Sequence, residues 1–149
     1  MPPPTIAGVL ETSLYAADLA AAAHFYGTIL GLPQIGFVEG RHVFFRCGPG
    51  VVLIFDPRTT ANQPTTVNGA PVPLHGARGA GHIALAAPET DLPSWRAHLE
   101  THGVEIESEV RWPRGGRSLY MRDPAGNSVE IASPTVWGSS ESLPDAGTS

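Results

Sequence analysis

Asp123-Pro124-Ala125-Gly126-Asn127-Ser128-Val129-Glu130 decides how the C-terminal half of this chain folds. Pro124 presets φ, Gly126 tolerates positive φ, and Asp123 and Asn127 carry short side chains that bond back to nearby backbone, so the stretch reads as a tight turn. On either side, Ser118-Leu119-Tyr120-Met121-Arg122 and Ser128-Val129-Glu130-Ile131-Ala132 have the apolar and β-branched content of paired strands. Glu130 therefore sits inside a half-apolar return strand. An unpaired buried carboxylate is costly, so it needs a partner.

Working outward, the chain divides into two halves of the same order. In the first, a strand is expected over roughly Ile6 to Tyr15. Asp18 then caps a helix that runs to about Leu30 and stops at Gly31. Leu19, Ala22, Ala23, Tyr26, Ile29 and Leu30 recur at the spacing of one buried helical face. Strand-like runs follow at Pro33 to Val38, Arg41 to Cys47 and Val51 to Asp56, the last two joined by Gly48-Pro49-Gly50. In the second half a strand from about Gly81 to Ala87 precedes a cap at Thr90 or Asp91. Its helix reaches about His102 and stops at Gly103, with Leu92, Trp95, Leu99 and His102 on one stripe. Val104 to Val110 alternates with Glu105, Glu107 and Glu109, the pattern of a strand with one solvated face.

Each half thus reads β-α-β-β-β, an α+β architecture in a single domain: module 1 over about 6–56, a linker or lid loop over 57–80, module 2 over about 81–134, and a flexible tail over 135–149. Trp137 is expected to dock that tail.

Composition narrows the function classes. The 149 residues carry 42% hydrophobic and 15% charged side chains and a formal net charge of −5, which suits a globular domain. Lys is absent and all nine basic residues are Arg, with no basic stripe interleaved with aromatics, so nucleic acid is not the expected partner. The lone Cys47 excludes an internal disulfide and suits a reducing cytoplasm. The N-terminal Met1-Pro2-Pro3-Pro4-Thr5-Ile6 lacks the features of a signal peptide, and no apolar run is long enough to span a bilayer. A cytoplasmic protein with no membrane partner is the expectation.

Strand alternation then places the chemical residues. Glu11, Ser13 and Tyr15 share one face of the first strand, with Leu10 and Leu14 directed at the helix. In the second half Ile83 and Leu85 face the helix and His82, Ala84 and Ala86 the open side. Aligning the repeats on Leu14 and Leu85 sets Glu11 against His82, and the last strands match Ile54 with Glu130. Taken singly, Glu11 reads as a solvated or ion-paired residue, His82 as a core histidine, and Glu130 as a partner for Arg117 or Arg122. Together, at equivalent points of a repeat, they read as metal ligands.

With those residues in place, the chain resembles the vicinal oxygen chelate superfamily, which includes glyoxalase I, extradiol dioxygenases, fosfomycin-resistance enzymes and bleomycin-resistance proteins. The resemblance rests on Leu14-Tyr15-Ala16-Ala17-Asp18-Leu19, on His24-Phe25-Tyr26 through Leu30-Gly31-Leu32, on Gly81-His82-Ile83-Ala84, and on Asp123 to Asn127 with Glu130, and it extends from about Val9 to Pro134. It implies two modules forming a metal-binding cup, a homodimer, and a site closed within one chain or shared between two. His82 and Glu130 match the family's second-module ligands, Glu11 stands where its first His is usual, and Ile54 stands where glyoxalase I has a further Glu. That last departure disfavours glyoxalase I proper, whose proton transfer needs such a base. Tyr120 precedes Glu130 by ten residues, as the active-site Tyr of extradiol dioxygenases precedes its Glu; His75 lies upstream of His82 but off the matching spacing.

Glu11, His82 and Glu130 would form a shell whose charge offsets a divalent cation, with oxygen-rich ligation suiting Mn²⁺, Fe²⁺ or Mg²⁺ better than structural zinc. Open coordination positions would take a small molecule with two adjacent oxygens, for dioxygenase, isomerase or lyase chemistry. Tyr120, His42 and His75 are the candidate proton-transfer groups, and Arg46, Arg122 and the apolar Ile54 the candidate substrate contacts. A metal-free binding protein that sequesters a small molecule is the alternative.

Overall fold

The structure, a computed structural model, describes residues 1–138; most of the expected 135–149 tail lies outside them. Module 1 contains β1 (Glu11–Tyr15), α1 (Leu19–Ala23), β2 (Gln34–Val38), β3 (His42–Cys47) and β4 (Gly50–Phe55). The segment after it forms α2 (Pro57–Thr60) and the strands β5 (Thr65–Val67) and β6 (Ala70–Val72). Module 2 contains β7 (His82–Ala86), α3 (Leu92–Thr101), β8 (Ser108–Arg111), β9 (Arg117–Arg122) and β10 (Ser128–Ala132). The two main sheets have the same order, β1-β4-β3-β2 and β7-β10-β9-β8, with the first pair parallel in each and the rest antiparallel. The β-α-β-β-β repeat is thus the architecture.

Asp18 caps α1 through Oδ1, which accepts the Ala21 N–H at 2.9 Å. The helix then widens into π-helical winding over His24–Ile29, where the Leu30 N–H donates to the Phe25 carbonyl. Phe25 joins Leu19, Ala22, Tyr26, Ile29 and Leu30 in the buried face, while Ala23 is only half-buried. One core continues through both modules, from Leu14, Val43, Phe45, Val52 and Ile54 to Ile83, Leu99, Leu119, Val129 and Ile131.

Several boundaries differ from the sequence reading. The first strand begins at Glu11, not Ile6, and Leu10 is 76% exposed. Of the Val104 to Val110 run only the part from Ser108 onward pairs, in the strand Ser108–Arg111, although Val104 and Ile106 do pack inward. His102 is exposed, leaving Leu92 and Leu99 as the fully buried part of the α3 stripe, and Trp137 is 89% exposed and so does not dock. The 57–80 segment contains the β5–β6 hairpin. Its turn is Asn68-Gly69, both at positive φ (49° and 79°), the geometry and composition of a two-residue hairpin loop.

The Asp123 turn joins the modules. Asp123 Oδ1 accepts the N–H groups of Ala125 and Asn127, both at 2.9 Å, and Gly126 supplies the positive φ of 87°. Oδ2 accepts the Tyr26 hydroxyl at 2.7 Å and the Asn127 amide at 2.8 Å. Asn127 also donates to the Tyr15 carbonyl at 3.2 Å and accepts the Gly81 N–H at 2.8 Å, next to His82. Burial, then the Asp123 charge, then this hydrogen bond hold the Tyr26 phenol far above its ordinary value of 10.0. The resulting stability is present below pH 10 and lost above it, because the unfolded chain ionises Tyr26 where the folded chain does not. Urea unfolding between about pH 9 and 11 should show a decline approaching ~1.4 kcal/mol per pH unit from this group. Tyr26→Phe should remove that component; equal alkaline slopes in the two proteins would refute it.

Candidate functional site

Each sheet packs one face on the shared core and leaves the other open. On the open face of module 2 lie His82, Ala84 and Ala86 of β7, with Ser128 and Glu130 of β10 and Tyr120 of β9 beside them; Glu130 pairs with Ala84 on one side and Tyr120 on the other. Glu130 is only 6% exposed, yet its contacts include no guanidinium. His82 Nε2 lies 3.3 Å from Glu130 Oε2. The other ring nitrogen, Nδ1, is 3.1 Å from the Ser128 carbonyl and 3.2 Å from its hydroxyl. A carbonyl can only accept, so Nδ1 carries the proton in neutral His82 and the Nε2 lone pair faces Glu130. This is how a metal-binding imidazole is oriented. The Tyr120 ring stacks against His82 at 6.4 Å between centroids. Burial, then the charge and hydrogen bonding of Glu130, raise its phenol, with Ser118 pulling the other way, so Tyr120 is a proton donor at neutral pH.

The open face of module 1 is aromatic. His42 stacks on Phe44 at 3.8 Å between centroids, and Phe55 meets both rings edge-on. His75, arriving from the inter-module segment, packs on Phe55 and bonds the Tyr15 hydroxyl through Nδ1 at 2.8 Å. Burial first, and Arg41 second, lower the pKa of His42, so it is neutral at physiological pH; its Nδ1 is buried without a hydrogen-bond partner among the described residues. Glu11 stands exposed on the same face, across from Val51, and Arg46 lies on the other side of Val51.

The residues expected at one site therefore fall on two separate faces. Among the described residues no three His, Cys, Asp or Glu side chains come close enough to hold an ion, so a single chain brings His82 and Glu130 together and leaves Glu11 on module 1. Arg122, expected at the substrate, is engaged by Glu107 through Nε at 2.7 Å and Nη2 at 3.0 Å, and its Nη1 bonds the Gly126 carbonyl.

Ile54 requires a correction. It pairs with Leu14 and Val43 and is 0% exposed, so it points into the core and cannot touch a substrate. The residue equivalent to Glu130 is Leu53: Leu53 pairs with Ser13 as Glu130 pairs with Ala84, and Ser13 and Ala84 precede Leu14 and Leu85. The fourth position remains apolar, with a different residue in it. Sequence reasoning also missed Ser118, whose hydroxyl donates to Glu130 Oε1 at 2.5 Å. Strand alternation back from Tyr120 would have placed it on the side of the sheet that Glu130 occupies.

Residues 8–131 match the Glyoxalase/Bleomycin resistance protein/Dioxygenase superfamily. The chain belongs to it. Its fold superimposes on the crystal structure of a lactoylglutathione lyase from Agrobacterium tumefaciens with a TM-score of 0.82 and 39% identity, covering 91% of this chain and 98% of that one. A fosfomycin resistance protein from Listeria monocytogenes, FosX, solved as a point mutant with Mn(II) and 1S,2S-dihydroxypropylphosphonic acid, shares the fold at a TM-score of 0.62 and 21% identity over 85% of this chain and 90% of that one. MhqE of Bacillus subtilis (strain 168), described as a putative ring-cleaving dioxygenase, is 25% identical over 150 residues. That match covers 95% of this chain and 46% of MhqE, so the chain spans about half the length of that relative. The proteins it is similar to include a lyase and a putative ring-cleaving dioxygenase. No helix among the described residues is long and apolar enough to cross a membrane.

Proposed function

We propose that the chain is a divalent-metal-dependent enzyme of the glyoxalase/dioxygenase type, acting on a small molecule with two adjacent oxygens. The observation that carries this reading is the His82–Glu130 pair: a carboxylate buried without a guanidinium, facing an imidazole whose second nitrogen is tied to backbone. The donor set fits an oxygen-preferring divalent cation, Mn²⁺, Fe²⁺ or Mg²⁺, better than a structural zinc. Such an ion, when bound, supplies Lewis acidity to the substrate oxygens. His82 and Glu130 would hold it, Tyr120 would donate a proton to an oxygen of the substrate, and the aromatic wall of Tyr15, His42, Phe44 and Phe55 would exclude water.

Glu11 completes the set in a homodimer that places module 1 of one chain against module 2 of the other. Exposed Ile6, Val9 and Leu10 beside β1, with the solvent-open faces of both sheets, support that assembly. Arg46, His42 and His75 would then line the substrate side of the shared cup, with the 57–80 segment as its lid. The apolar Leu53 leaves no second carboxylate to shuttle a proton, which favours dioxygenase chemistry, or isomerase or lyase chemistry that needs no such shuttle, over the lactoylglutathione lyase reaction of glyoxalase I proper. The single, half-buried Cys47, its thiol pushed up by burial, suits a cytoplasmic setting.

Purification without chelator, elemental analysis and reloading with Mn²⁺ or Fe²⁺ test the metal. About one ion per site is the expected result; less than about a tenth of an equivalent after reloading would sink the reading. The stacked aromatic wall favours the alternative in that event, a metal-free protein that sequesters a small molecule. If the site is shared, Glu11→Ala should weaken Mn²⁺ binding by about tenfold or more while leaving the dimer intact by sedimentation; unchanged affinity would remove Glu11 from the site.

A further inference from the structure

Behind Glu130 lies a hydrogen-bonded chain whose proton directions are set by the chemistry of its members. Trp112 Nε1 lies 2.8 Å from Ser118 Oγ. An indole N–H can only donate, so the Ser118 hydroxyl accepts there, and its one proton is left for Glu130 Oε1, 2.5 Å away. Ser118 is 0% exposed and lies opposite Ala132, two residues along the strand pair from Tyr120 and Glu130 and on the same face. It has no access to solvent and cannot meet a substrate. Trp112 is delivered by the turn between β8 and β9, which is closed by the Trp112 N–H to the Gly116 carbonyl and the Gly115 N–H to the Trp112 carbonyl, both at 3.0 Å.

We propose that Ser118 and Trp112 are positioning residues that decide which oxygen of Glu130 faces the cup. The indole fixes the rotation of the Ser118 hydroxyl; the hydroxyl engages Oε1 in a short charge-assisted bond; Oε2 is thereby turned to His82 Nε2 as the coordinating oxygen. Without the relay the carboxylate can rotate, present either oxygen or both, and lose the preorganisation that a bound ion requires. This rests on the metal reading given above, and it adds the residues that aim the ligand.

Two variants test it, each compared with the native chain and with Glu130→Gln for Mn²⁺ affinity and for the visible absorption of the Co²⁺-loaded protein, which reports ligand geometry independently of turnover. Ser118→Ala should bind Mn²⁺ ~10–100-fold more weakly, the usual cost of losing a partner that orients a ligand, and should shift the Co²⁺ bands. Trp112→Phe keeps the ring and removes only the donor; it should weaken binding severalfold and shift the bands in the same direction. Because Trp112 is 38% exposed, this second variant keeps the test alive if Ser118→Ala does not fold. Affinities within about twofold of native and superimposable Co²⁺ spectra, with binding lost in Glu130→Gln, would overturn the relay and leave the metal site standing. A native chain that binds neither ion overturns both.

Discussion

Asp123→Ala should cost this protein about 4 kcal/mol of stability, the largest loss expected from any single substitution outside its apolar core. The carboxylate is 4% exposed and accepts four hydrogen bonds, from Tyr26, Asn127 twice and Ala125. Hydrogen bonds to a charged group contribute roughly 1.5–3 kcal/mol each, and removing the acceptor also strands the donors. Here the stranded groups are the hydroxyl of fully buried Tyr26 and the amide of Asn127, which is 2% exposed. Against a typical total of about 5–15 kcal/mol the loss is severe, equivalent to a fall in Tm of roughly 8–16 °C. Asp123→Asn keeps the shape and one acceptor oxygen, and should lose about half as much. Urea denaturation settles both; a loss below about 1 kcal/mol in Asp123→Ala would show that the turn holds itself without the carboxylate. The substitution bears on function because the same turn phases β10, and with it Glu130, while Asn127 fixes the residue before His82.

How much of this was readable in advance depended on which strands alternate. Ser128-Val129-Glu130-Ile131 switches polar and apolar at every residue, so one reading puts Glu130 on the open face, and the structure agrees. Val51-Val52-Leu53-Ile54-Phe55 is apolar throughout and carries no phase. Its register is fixed by its parallel pairing with β1, a tertiary fact, and a slip of one residue exchanged Leu53 for Ile54 and turned the side chain from one face to the other. The hairpin was legible in principle, since Asn68-Gly69 is among the strongest short hairpin signals. Its short strands, the second of which carries Pro71, lack the apolar alternation of a half-buried strand. Leu10 failed differently. Period two directs it at the helix, but the strand begins one residue later and the chain before it runs over the surface. The Trp112–Ser118 relay required knowing how a turn outside any strand delivers an indole, which neither periodicity nor spacing encodes.

Glu130→Gln should separate the metal reading from every purely structural account of this carboxylate, because the two expected changes have opposite signs. Gln is nearly isosteric. Its carbonyl oxygen can accept the Ser118 proton as Oε1 does now, and its amide can donate to the free Nε2 of His82 across the 3.3 Å gap. The exchange removes a buried charge that lacks a strong cationic partner, so folding stability should rise, by ~1 kcal/mol, or about 2–4 °C in Tm. Metal affinity should fall at least ~100-fold, because a neutral amide supplies neither the charge nor the donor strength of a carboxylate. A protein that becomes more stable as it loses its ligand carries a group kept for function against the interest of the fold. Thermal unfolding of the metal-free protein and Mn²⁺ titration of the same preparation measure the two quantities side by side. Lowered stability with unchanged binding would mean that Glu130 is a structural partner of Ser118 and His82, and the chemistry of the cup would have to be sought on the aromatic face of module 1.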